Sequence, residues 1–329
     1  MKLSVGVYPN QRPAEIIDSA RLADEMGFST LWLLDSHLLF HEVYTLLGAL
    51  AVATKTIRLG TAVTNPLTRH PSVTASAFST LAELSNGRAT LGIGVGDSAL
   101  KSMNLPTANM STLAQTVALC RKLLRGEAVS FGQGQTAQLH GVGPAVPIYM
   151  AATGPNMLDL AGGIADGVIL MNGVAPELIK TAVCLVHAGE RAAGREQGSV
   201  KIAVWAACHP SCDAVKFNVA RAILRKIPGP TDALADKVAA QVRRAYDYRQ
   251  HGDTQANFAH LIPDEIVARY AFCGEPPAIA RQIGALGPCG VEEVILAIPT
   301  GPAITPRDAV MRELGAMVLP LKAPVAIRA

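Results

Sequence analysis

Two aspartates and a histidine stand just beyond short apolar runs: Asp35 and His37 after TLWLL, and Asp97 after ATLGIGV. A histidine can exchange a proton near neutral pH, and a carboxylate can do so where its surroundings tune it. The plainer employment of such residues is hydrogen bonding at a strand end or capping of the next helix. Between them lies LGTAVTNPLTRHP, residues 59–71, where an apolar run breaks into Thr64-Asn65-Pro66 and Pro71 opens a helical pattern. Polar atoms on a backbone stiffened by two prolines suit hydrogen bonding to a planar heterocycle; a ligand-free turn asks for the same residues. AATGPNM, from position 151, places Thr153 and Gly154 at a strand-to-helix turn. The free N–H groups of a helix start, with the dipole behind them, favour a phosphate. Pro155 removes an N–H that a first helical turn leaves unused.

Other chemistries are excluded by the same reading. LGIGVGDS offers Gly92 and Gly94 to a G-x-G-x-x-G frame, but the third glycine position is Asp97, so the dinucleotide fingerprint fails. These glycines instead allow a ligand or backbone to approach closely, with Gly96 beside them. There is no G-x-S-x-G elbow and no H-x-H pair after the first strand. Cys208, His209 and Cys212 lack a fourth ligand at a usual spacing, so no metal site is expected. The six cysteines form no CxxC pair, and reduced cytoplasmic thiols are expected. A net charge of +3 without a basic run of five gives no support for nucleic acid. No apolar run reaches the length of a membrane span.

The elements that must position these residues follow from the hydrophobic pattern. Half of the 329 residues are hydrophobic and 17% are charged, which suits a large buried core. Short apolar runs alternate with amphipathic helical stretches, beginning with a strand at Leu3–Val7 and a helix at Pro13–Met26. The alternation continues to a strand at Glu293–Ile298 and a helix from about Pro306. Eight such units predict an α/β fold, a (β/α)₈ TIM barrel. It forms a single domain over 1–329, with insertions at about 126–147 and 211–262, after the fourth and seventh strands. The reactive end of such a barrel is the C-terminal end of its strands. Tyr8, Asn10, Thr61, Asn172, His209 and Thr300 fall there as well.

Long segments carry a resemblance. LGTAVTNPLTRHPSVTASAFSTLAELSNGRATLGIGVGD, PIYMAATGPNMLDLAGGIADGVIL, YPNQRPAEII and GVEEVILAIPTGP resemble the F420-dependent methylenetetrahydromethanopterin reductases of the bacterial luciferase-like superfamily. The resemblance runs over nearly the whole chain and is weakest from 211 to 262. It implies a barrel with F420 or FMN lying over the strand ends, and a non-prolyl cis peptide at Ala62–Val63 behind the ring. It further implies that Thr64 and Asn65 border the ring, and that Gly96, Ala152, Thr153, Gly154 and Asn172 complete the cofactor site. His37 matches the histidine of an Asp-His pair, here spaced as Asp35-Ser36-His37. The reductases carry an acid at the end of the first strand, where this chain has Gly6. The resemblance therefore implies a cytoplasmic, homodimeric oxidoreductase moving hydride to or from a small organic molecule other than methylenetetrahydromethanopterin. His37, Asp35 and Asp97 are its candidate catalytic residues. An FMN-dependent monooxygenase using reduced flavin and oxygen, and a non-catalytic flavin- or F420-binding protein, stand as alternatives.

Overall fold

The computed structural model describes all residues except 133, 226–228, 230–232, 251–252, 303 and 319–329. Eight short apolar strands form its centre: β1 (Lys2–Val7), β2 (Thr30–Leu33), β3 (Arg58–Thr61), β4 (Ala89–Ile93), β5 (Ile148–Ala152), β6 (Gly167–Leu170), β7 (Lys201–His209) and β8 (Glu293–Ala297). They are buried on both faces, as parallel strands covered by helices must be. Each pairs in parallel with the next, and β8 returns to β1 with Lys2 opposite Glu293 and Gly6 opposite Ala297. That closure leaves no open edge and makes the sheet a barrel.

Around the barrel lie α1 (Pro13–Met26), α2 (Val43–Ala53), α3 (Pro71–Leu84), α4 (Met110–Leu124), α5 (Pro155–Ile164) and α6 (Pro176–Ala192). After β7 come α7 (Lys216–Ile223), α8 (Ala233–Ala245), α9 (Asp264–Tyr270) and α10 (Pro276–Gly284), and after β8 comes α11 (Arg307–Val318). Four of the first six begin on proline, which has no N–H to strand at that position. α4 starts three residues earlier than its apolar pattern, because the Asn109 side chain accepts from Thr112 N at 2.8 Å and caps it. The segment expected as the first insertion holds a short hairpin, Val129–Ser130 with Thr136–Ala137, between α4 and β5. The second insertion holds α7 and α8, whose apolar faces join the barrel interior through Phe217, Val219, Val238 and Val242.

Large aromatic rings fill that interior, and glycines make the room. A Cβ on Gly60 would lie 2.7 Å from the Trp32 ring, and one on Gly92 would lie 1.8 Å from the Thr61 carbonyl oxygen. A Cβ on Gly6 would lie 2.5 Å from the Trp205 ring. Trp32 Nε1 finds a buried acceptor in Glu293 at 2.9 Å, so the indole satisfies its polar edge.

One expectation is corrected. Cys212 and Cys273 are not free thiols but a disulfide, with Cα atoms 5.1 Å apart. The two residues are 61 positions apart, so no local spacing betrays the pair. A two-residue strand, Phe272–Cys273, adds to the end of β7 with Cys273 opposite His209, and this delivers Cys273 to the loop holding Cys212. Cys120, Cys208 and Cys289 are buried thiols and Cys184 is an exposed one. The bridge closes the loop that contains α7, α8 and α9. Removing it in a Cys212→Ser/Cys273→Ser double variant is expected to lose about 2–4 kcal/mol. Thermal unfolding of wild type with and without reductant should reproduce the shift; identical curves would show that no bridge constrains the segment.

Candidate active site

A cavity of about 360 Å³ opens at the C-terminal end of β2–β6. One side is a bed of small residues: Ala62, Val63, Gly94, Ala151 and Ala152. The Ala62–Val63 peptide is cis, at the position expected. The chain leaves the β3 ladder there and rejoins it at Thr64, whose N–H donates to the Gly92 carbonyl at 3.0 Å. A Cβ on Gly94 would lie 2.9 Å from Val63 Cγ2, so only glycine keeps this bed flat. Gly96 has φ +84°, a left-handed conformation that admits glycine at little cost.

An ionic anchor holds the bulge from behind. Thr64 Oγ1 donates to Asp35 Oδ2 at 2.7 Å, and Arg69 Nη1 donates to the same oxygen at 2.6 Å. Arg69 Nη2 reaches Asp35 Oδ1 at 3.3 Å and Glu42 Oε1 at 2.5 Å, and its guanidinium lies 4.1 Å from the Tyr44 ring centroid. Burial pulls the Arg69 guanidinium down, but Asp35 and Glu42 outweigh it and hold the group above its ordinary range. Burial likewise pushes the Tyr44 hydroxyl up to about 12. Asp35 lines the cavity with both oxygens engaged, which is a positioning arrangement.

His37 is half-buried and lies beyond the cavity lining; its Nδ1 is buried without a hydrogen-bond partner. Ser36 and Ser98 do line the cavity, and their hydroxyls meet at 2.5 Å, tying the loops after β2 and β4 together. Asp97 precedes a short helical turn, Ser98–Lys101, without capping it through its side chain. Its Oδ2 instead accepts from Arg221 Nε at 2.7 Å and Nη2 at 2.5 Å. Asn65 lines the cavity, but its amide shapes its own loop: Oδ1 accepts from Leu67 N and Thr68 N, each at 3.0 Å. Thr64 is fully buried behind the bed. Ala152 and Thr153 reach the cavity at the start of α5, and Gly154 is the N-cap with no side chain to cover the first-turn N–H groups. Asn172 lies behind them, wholly buried, donating from Nδ2 to the Thr153 carbonyl at 2.9 Å.

The opposite wall comes from the insertion. Arg221, Arg225 and Tyr248 line the cavity beside Lys101. Neither arginine is among the residues expected from the sequence; RAILR spaces them four apart, with Arg221 in α7 and Arg225 just past its end. Burial and the Arg221 charge pull the Arg225 guanidinium down to about 10, leaving it a cation at neutral pH. Gly6 lies deeper. Trp205 covers the space a side chain there would take, and Tyr8 packs edge-on against Trp205 at 6.4 Å. No group of three or more His, Cys, Asp or Glu that could hold a metal occurs among the described residues.

The chain matches the family model for luciferase-like monooxygenase over residues 1–293. It is 33% identical over 314 residues to the 5,10-methylenetetrahydromethanopterin reductase of Methanolobus tindarius, covering 92% of this chain and 95% of the relative. It is 37% identical over 205 residues to an F420-dependent glucose-6-phosphate dehydrogenase of Nakamurella multipartita, covering 56% and 60%. Its fold superposes on the coenzyme F420-dependent tetrahydromethanopterin reductase of Methanopyrus kandleri with a TM-score of 0.76 at 24% identity, covering 95% and 97%.

The anchor makes a clear demand. Arg69→Met leaves the Asp35 carboxylate buried with Thr64 alone and is expected to cost about 3 kcal/mol. Urea unfolding measures it; an unchanged midpoint would mean that the pair holds nothing in place.

Proposed function

The chain belongs to the luciferase-like monooxygenase family, and from that premise we propose that it is an F420-dependent oxidoreductase acting on a small organic substrate. The observation that carries this reading is the cavity's pairing of a flat bed with an open helix start. Ala62, Val63, Gly94, Ala151 and Ala152 offer a surface for a planar tricyclic ring. The start of α5, capped by Gly154 without a side-chain acceptor, offers N–H groups to a phosphate. F420 fits both features, and when bound it supplies two-electron hydride chemistry from its ring. The relatives above 30% identity whose names state a cofactor are F420 enzymes.

The chain's own residues have separable tasks in this reading. The Asp35–Arg69–Thr64 anchor fixes the bed, and Asn172 fixes the turn at Thr153. We assign proton exchange to His37, whose Nδ1 is buried and has no partner, one residue beyond Ser36 in the lining. Asp97 positions Arg221. The substrate differs from methylenetetrahydromethanopterin, because Trp205 fills the space where the reductases carry an acid, over Gly6. Absorption distinguishes the cofactor: protein titrated with F420 should retain a band near about 420 nm, whereas a retained band near about 450 nm from FMN would favour the monooxygenase reading. Gly154→Asp keeps a good N-cap but sets a carboxylate against the phosphate, and is expected to weaken F420 binding at least about tenfold without lowering stability. Unchanged affinity would sink the phosphate assignment.

The reading includes a homodimer. Helices α2 and α3 and the loops before them expose Leu38, Val52, Leu67, Val73 and Leu84 on one side of the barrel, and such a patch suits a partner of the same kind. Light scattering is expected to give twice the 34.4 kDa chain mass, falling to one chain in Val52→Lys/Val73→Lys. A wild-type monomer would remove the dimer.

A further inference from the structure

Five charged side chains line the cavity: Asp35, Asp97, Lys101, Arg221 and Arg225. Three of these charges, Asp35, Asp97 and Arg221, are spent inside the protein. Asp35 is neutralised by Arg69, and Asp97 by Arg221. Among the described residues, Lys101 and Arg225 form no ion pair, so the cavity carries an excess of positive charge on the wall facing away from the flat bed. Lys101 is exposed and hydrated, and its charge costs little. Arg225 is different. It follows the C-terminal end of α7, its amide bonded to the Ala222 carbonyl at 3.1 Å, and it turns into the cavity beneath Tyr8 and Tyr246. Asp97 acts on its charge from a distance, but no carboxylate is hydrogen-bonded to it, and a cation drawn away from bulk water in this way is costly; an anion in the cavity relieves that cost. Asp97 is engaged by the neighbouring Arg221, which gives two donors to its Oδ2.

We propose that Arg225, with Lys101 at the rim of the same cavity, binds an anionic group of the substrate, a carboxylate or a phosphate. The planar fork of Arg225 can take two oxygens at once, while Lys101 acts as a point charge. The site is built from the end of α7 and the Ser98–Lys101 turn, whereas the start of α5 reaches the same cavity through Thr153. Calling the anion the substrate's rests on the F420 reading; the existence of the anion site does not.

The test uses the full chain and inorganic phosphate as probe, titrated calorimetrically at constant ionic strength with chloride. Gly154→Asp, which closes the helix start, is the background. Phosphate should still bind there. Arg225→Met should weaken it at least about tenfold, and Lys101→Gln about threefold, as loss of charged hydrogen bonds predicts. F420 affinity, read separately from its absorption in the protein with Gly154 intact, should not change in either variant. Phosphate binding that ignores both variants overturns the site. Equal loss of F420 and phosphate affinity overturns the substrate assignment, because the cations would then hold the cofactor's acidic tail. Should Arg225→Met fail to fold, the exposed Lys101→Gln decides by the same two readings. A chain that binds phosphate as described but no F420 at all would refute the redox reading while leaving the anion site standing.

Discussion

The Asp35 side chain is 1% exposed and the Arg69 side chain 15%, and the geometry of the cavity depends on their contact. Two charges taken from water to this depth lose several kcal/mol of hydration each, and mutual attraction alone does not always restore it. Here the pair has further support. Thr64 donates to the carboxylate, Glu42 accepts from the guanidinium, and Tyr44 presents its ring face to the cation. Every one of these partners belongs to β2, β3 or the segments that follow them. The pair therefore fastens the chain just after the Ala62–Val63 bulge to the loop after β2. The bulge is the floor of the cavity, and a floor held by charge on one side leaves its other face apolar and free.

The barrel interior imposes a second constraint. Two indoles inside a ring of eight strands need space, and the chain provides it by omitting side chains at Gly6 and Gly60. Close packing makes these choices interdependent: a ring cannot be added without removing its opposite number. Gly6 and Trp205 are one such exchange. An acidic side chain at position 6 would place its Cβ 2.5 Å from the Trp205 ring, so this chain could carry an acid there only by moving or losing the tryptophan. The chemistry of the strand-1 end is thus fixed by packing across the barrel. It leaves Tyr8, with its hydroxyl accepting from Asn218 and raised by burial, as the polar atom nearest that end.

Much of this was legible before any coordinates. Alternating apolar runs and prolines at helix starts locate β1, α1, α3 and β8 within a residue of their observed bounds, because parallel strands must be apolar on both faces and proline is welcome at a first turn. The turn at Thr153 was legible in AATGPNM itself, and the cis peptide at Ala62–Val63 by resemblance. What the sequence hid is whatever depends on distant partners. Nothing near Asp35 announces Arg69, 34 positions on, as its counter-ion. Nothing near Cys212 announces Cys273. Gly92 reads as a place where a ligand or backbone approaches closely, and which of the two it is depends on a distant partner: the backbone of Thr61, through its carbonyl oxygen. Arg221 and Arg225 lie where polar helices look like an ordinary solvated insertion.

That division has a physical basis in how the cavity is assembled. The bed and the helix start come from β3–β5 and their loops, where backbone conformation itself forms the surface, so the sequence there is tightly constrained and resembles that of relatives. The opposing wall comes from side chains on α7 and the segment around Tyr248, laid over the barrel mouth by apolar contacts with Phe217 and Val219. Contacts of that kind tolerate change as long as volume and polarity pattern are kept. Charges on such a wall can therefore change without disturbing the bed. In this chain the wall carries Arg221, Arg225 and Tyr248, and the Cys212–Cys273 bridge encloses the stretch that holds them within one closed loop. Loop closure restricts the unfolded chain more than it strains the folded one. The segment that carries these cations is thus also tied covalently beside the end of β7.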